Sequence, residues 1–102
     1  MLVAWEFRAR PGREADFEAH YAPFGVWARL FARSPDYRGT TLVRDASERR
    51  RYLLTDTWTD REAFDVFLAA HAAEYEALDR RCEALTEEER CLGWFSVVAR
   101  AS

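Results

Sequence analysis

The run Tyr52-Leu53-Leu54-Thr55-Asp56-Thr57-Trp58 passes directly into Thr59-Asp60-Arg61-Glu62, and this junction constrains the fold more than any other feature of the chain. The first part has the β-branched and aromatic content of a strand. In the second, Thr59 is placed to accept from the backbone of Glu62 while Glu62 reaches back, the reciprocal arrangement of a capping box. The helix opened there carries Phe64, Phe67, Leu68, His71, Tyr75, Leu78, Cys82 and Leu85 at three- and four-residue steps, one apolar side of a long helix.

The elements before this junction follow from similar patterns. Val3, Trp5, Phe7 and Ala9 alternate with Glu6, Arg8 and Arg10 until Pro11-Gly12, a strand stopped by a turn. Phe17, Tyr21, Phe24, Ala28 and Phe31 recur at helical spacing, but Pro23 falls among them and predicts a break near Tyr21-Ala22. After the turn cluster Ser34–Gly39, the segment Thr40–Asp45 reads as a strand and forms a hairpin with 52–58. Thr86-Glu87-Glu88-Glu89 repeats the capping pattern and predicts a short turn or helix before a last strand, Leu92–Ala99. The order is β-α-β-β-α-β, the ferredoxin-like α+β pattern with a four-stranded antiparallel sheet.

At 102 residues the chain is expected to form one domain, 1–102. A net charge of −3 without a basic stripe argues against nucleic acid as a partner, and all fifteen cationic residues are Arg. Cys82 and Cys91 have neither the spacing nor the company for a zinc site or a disulfide framework, so no metal is expected. The first residues lack a basic leader pattern and no apolar run approaches a membrane span. A soluble cytoplasmic protein is therefore expected, with no membrane partner.

Large apolar side chains fall on both sides of the expected strands. Val3, Trp5 and Phe7 oppose Leu2 and Ala4; Tyr52, Leu54 and Trp58 oppose Leu53; Leu92, Trp94 and Val98 oppose Phe95 and Val97. Helices cover only one face of such a sheet, so the reading predicts aromatics on both faces and a second copy packed on the open one.

The stretch Asp56-Thr57-Trp58-Thr59-Asp60-Arg61-Glu62-Ala63-Phe64-Asp65-Val66-Phe67, with Ala70-His71 beyond, resembles the antibiotic-biosynthesis-monooxygenase-like family of dimeric α+β barrels. The Pro11-Gly12 turn and the terminal Leu92-Gly93-Trp94-Phe95 fit the same pattern. The resemblance implies a homodimer whose sheets pair face to face and enclose a pocket for a small apolar or aromatic ligand. It also implies chemistry of the kind seen in cofactor-independent oxygenases of phenols and quinols, in which no cofactor is needed. Such a site requires a base, a donor for the developing oxyanion and dry walls. Two departures stand out. The polyketide-oxygenase branch has an Asn four residues before the strand-end Trp, where this chain has Leu54. The haem-degrading branch has an Asn on the first strand, absent here, and a helix Trp whose best match is Phe67.

On this reading Asp56 and His71 are the candidate bases, and Trp58, Glu6, Leu54, Phe67 and Tyr75 the candidate ligand-binding residues. Each has a plainer alternative. Trp58 fits a packed core equally well, and for Tyr75, at helical spacing with other apolar residues, the core is the default. Asp56 becomes ordinary if an Arg pairs with it, Glu6 suits a salt bridge, and His71 suits a packed histidine with one hydrogen bond. A non-catalytic ligand-binding dimer and a barrel with a filled interior remain the rival functions.

Overall fold

Strand β1 (Leu2–Ala9) buries Val3, Phe7 and Ala9 on one side and stops before Pro11-Gly12. In this computed structural model, residues 1–101 are described. Helix α1 (Glu14–Tyr21) and helix α2 (Val26–Phe31) are separated by the break that Pro23 requires, with Ala22 already extended. The corner closes tightly at Gly25. A Cβ there would sit 2.4 Å from the His20 carbonyl oxygen, so only glycine fits.

Strands β2 (Tyr37–Arg44) and β3 (Arg51–Trp58) form the expected hairpin, and β1 pairs with β3 on one side and with β4 (Thr86–Phe95) on the other. The sheet is antiparallel throughout, in the order β2-β3-β1-β4, the ferredoxin-like arrangement. Helices α3 (Arg61–Ala70) and α4 (Ala72–Cys82) complete the fold. No helix among the described residues is long and apolar enough to cross a membrane.

Four expectations need correction. The N-cap of α3 is Asp60 rather than Thr59: the helix starts one residue later than expected, and the Asp60 carboxylate accepts the Ala63 N–H at 2.7 Å. The long second helix is broken at His71, whose backbone (φ −126°, ψ 28°) leaves the helical region. The break lets α3 set Phe67 against Trp58 while α4 sets Tyr75 against Trp27. The residues 86–91 belong to β4 itself, which pairs from Thr86 onward, and the sheet ends at Phe95 rather than Ala99. Glu87, Glu88 and Arg90 are tolerated there because β4 is an exposed edge strand.

The fourth correction concerns the two faces. Cross-strand pairing places Trp5, Phe7, Tyr52, Leu54, Asp56, Trp58 and Trp94 together under the helices. The open face carries Leu2, Ala4, Leu53, Val43 and Phe95, then a charged end of Glu6, Arg8, Arg51 and Arg90. Aromatic rings are thus concentrated on the covered face. Phe95 is the exposed ring of the open one.

Candidate functional site

The covered face does not pack solidly. Between sheet and helices lies a cavity of about 40 Å³, floored by Trp5, Phe7, Leu54, Asp56 and Thr40 and roofed by Tyr21, Trp27, Phe31 and Tyr75, with Glu89 of β4 at its side. Rings dominate the roof because α1, α2 and α4 each turn an aromatic stripe to the sheet; Trp27 and Tyr75 meet edge to face at 5.1 Å between centroids. The cavity therefore lies within one chain, under its helices, and not on the open face that a two-chain barrel would enclose.

Asp56 is the polar centre of this cavity. It is 7% exposed and accepts a 2.5 Å hydrogen bond from the Thr40 hydroxyl, its cross-strand partner. Among the described residues no ion pair reaches it. Burial among apolar groups pushes its carboxyl up to about 6, against the opposing pull of Thr40. Tyr75 opposite is pushed up to about 12, first by burial and then by the charges of Asp79, Glu89 and Asp56. The Glu89 carboxyl is raised by desolvation and by the nearby Asp79 and Glu83 charges. The cavity is aromatic, acidic and without a counter-cation. The Trp27 indole N–H has no hydrogen-bond acceptor, with the Tyr21 hydroxyl and the Cys82 thiol as its polar neighbours.

The other candidate residues separate into three groups. Leu54 and Tyr75 line the cavity beside Asp56. Trp58 and Phe67 lie behind it in the packed core: Trp58 is fully buried, with ring centroids 5.3 to 5.5 Å from Phe64, Phe31, Tyr37 and Phe67. Glu6 and His71 do not reach the cavity. Glu6 points to the open face, where Arg51 and Arg90 each hold one of its oxygens at 2.6 Å, and the Arg51 bond draws its carboxyl below the usual range. His71 sits at the α3–α4 break, its ring against Phe67 and its Nδ1 3.2 Å from the Glu74 carboxylate.

Thr40, Trp27 and Glu89 belong to the cavity and were not singled out from sequence. The hairpin register carried the signal for Thr40, because the pairing that sets Leu42 against Leu54 sets Thr40 against Asp56. Glu89 was hidden by the mistaken turn before β4. Among the described residues no group of three His, Cys, Asp or Glu side chains converges as metal ligands would.

Residues 1–75 match the family model for antibiotic biosynthesis monooxygenase. SnoaB, a cofactor-independent oxygenase from Streptomyces nogalater solved as its N63A mutant, is 26% identical, with a TM-score of 0.70 over 97% of this chain and 96% of that one. A candidate antibiotic biosynthesis monooxygenase from Bordetella bronchiseptica is 28% identical, with a TM-score of 0.71 over 95% of this chain and 96% of that one. An uncharacterized NIPSNAP domain protein from Burkholderia xenovorans matches over 100% of both chains at 16% identity and a TM-score of 0.68, a likeness of fold alone. No curated protein matches the chain significantly.

Proposed function

Because the chain belongs to the antibiotic biosynthesis monooxygenase family, we propose that it is a cofactor-independent monooxygenase-like protein acting on a small aromatic or quinol-type ligand held against Asp56. One observation carries this reading: a buried carboxylate without a cation faces a cavity walled by aromatic rings. With its ionisation pushed up to about 6, Asp56 is largely charged at neutral pH yet still basic enough to take a phenolic proton. The resulting phenolate is electron-rich and reacts with dioxygen, the oxidant, behind walls that exclude water. Trp27 N–H and the Tyr75 hydroxyl are the donors available to the oxyanion.

A cavity of about 40 Å³ is smaller than a ring needs, since benzene occupies an apolar cavity of about 150 Å³. Binding therefore requires a wall to move. The partly exposed Trp5 and Tyr75 are the walls free to do so, whereas Phe31 and Leu54 are buried in the core behind their cavity-facing sides. Leu54 supports a second reading, a binder without catalysis, because it removes the amide that the oxygenase branch carries at that position.

Pairing of open faces in a homodimer belongs to the same proposal. Exposed Leu53, Val43 and Phe95 supply apolar area, and alternating Glu6, Arg51 and Arg90 supply a charged border.

Oxygen uptake with a reduced naphthoquinol tests the catalytic reading. Wild-type protein is expected to accelerate uptake, Asp56→Asn to lose about a hundredfold, and His71→Ala to keep the wild-type rate. Uptake no faster than without protein, together with quenching of tryptophan fluorescence by the quinol, would establish the binder instead.

A further inference from the structure

The cavity has a carboxylate at each end. Asp56 stands opposite Val3 of β1 and Glu89 opposite Phe7, with the Trp5–Leu54 pair between them, so the two acids lie at opposite ends of the floor. Asp56 is the buried end, 7% exposed; its Oδ1 is taken by the Thr40 hydroxyl, and among the described residues its other oxygen receives no hydrogen bond. Glu89 is the exposed end, on the edge strand β4, where Asp79 and Glu83 add their charges beside it.

No cation answers these charges. Arg side chains pair with carboxylates elsewhere, as Arg51 and Arg90 do with Glu6, yet among the described residues no ion pair reaches Asp56, Asp79, Glu83 or Glu89. Neither Arg nor His lines the cavity among those residues. Between the two ends the walls are the rings of Trp5, Trp27, Phe31 and Tyr75, and Tyr75 lies among the charges of Asp79, Glu89 and Asp56. The faces of aromatic rings carry the negative part of their quadrupole and attract cations, most strongly where water is excluded. Acids and rings therefore favour the same ligand charge.

We propose that the ligand is a phenol carrying a protonated amine at its far end, with its hydroxyl at Asp56 and its ammonium between Tyr75 and Glu89. This inference rests on the reading of the pocket given above and names the class of aromatic it selects. A neutral phenol satisfies Asp56 and leaves Glu89 without a counter-charge, and an anionic one is repelled at the mouth. The amine also sets the direction of entry: the hydroxyl goes in first, and the ammonium stays at the exposed end, where it keeps part of its hydration.

The test is an NMR titration read at the indole N–H signals of Trp5 and Trp27, with tyramine, para-ethylphenol and para-hydroxyphenylpropionate as cationic, neutral and anionic forms of one ring. Tyramine is expected to bind about tenfold more tightly than para-ethylphenol in dilute buffer, with the propionate weakest, and the advantage should shrink in about 0.5 M salt. Glu89→Gln should bring the ratio of tyramine to para-ethylphenol affinity close to one, and Asp79→Asn should lower it in the same direction. Glu62→Gln, the same change of charge on α3 away from the cavity, should keep the wild-type ratio. Matching thermal unfolding of the variants separates these effects from misfolding. Binding of para-ethylphenol as tight as that of tyramine, or a tyramine advantage that survives Glu89→Gln and Asp79→Asn, would overturn the cationic ligand and leave the aromatic pocket standing. No shift of either indole signal with any of the three ligands would overturn both.

Discussion

Leu54 and Asp56 stand two residues apart on the same face of β3 and line the same cavity, an apolar wall beside a buried carboxylate. The carboxylate finds its hydrogen-bond partner in Thr40, directly across the hairpin. Leu54 has no hydrogen-bonding duty.

The charge on Asp56 carries a stability cost of definite sign. Its folded ionisation, near 6, lies above the ordinary aspartate value of 3.8, so the folded state holds the proton more tightly. That contribution is fully present below about pH 4 and is lost as pH rises through about 6. Asp56→Asn should therefore gain stability over wild type across this window, by up to about 3 kcal/mol above it. Urea unfolding of both proteins from pH 4 to 7.5 measures the difference, which should widen with pH.

Leu54→Ala should enlarge the cavity at a cost of about 2 to 5 kcal/mol. The same change should tighten binding of a naphthol, because less wall has to move. Urea unfolding and fluorescence quenching on one sample read the two effects, which run in opposite directions.

Trp58→Ala should cost about 3 to 5 kcal/mol, since a fully buried ring packed on four others is removed. Trp58→Phe should cost distinctly less. It keeps a ring there and deletes an indole N–H that has no hydrogen-bond partner. Thermal unfolding of the two variants ranks them.

The reach of the sequence differs from element to element for physical reasons. The break at Pro23, the hairpin and the alternation of β1 were legible because each rests on a local rule: a missing N–H, β-branched runs, a period of two. The break at His71 has no such mark, since Ala70-His71-Ala72 contains neither Pro nor Gly; it goes with packing of Phe67 on Trp58 before it and of Tyr75, after it, on Trp27, which is far away in sequence. β4 was obscured because an edge strand exposed on both sides need not alternate, and Thr86-Glu87-Glu88-Glu89 imitates a helix cap. Asp56 was identifiable as a candidate base. That Glu6 would face the opposite side, and that the cavity would lie under the helices, depended on which face the helices cover.

Light scattering at micromolar concentration should give the mass of a dimer, and Leu53→Glu, on the open face, should give a monomer with its cavity intact. A wild-type monomer would contradict the pairing of open faces.

The ionisation of Asp56 is measured directly by following its carboxyl carbon by NMR as pH is varied, with Asp56→Asn identifying the resonance. A midpoint near 6 is expected. A midpoint at or below the ordinary aspartate value of 3.8 would mean a solvated or cation-paired carboxylate, and would contradict the assignment of Asp56 as the base of an apolar pocket.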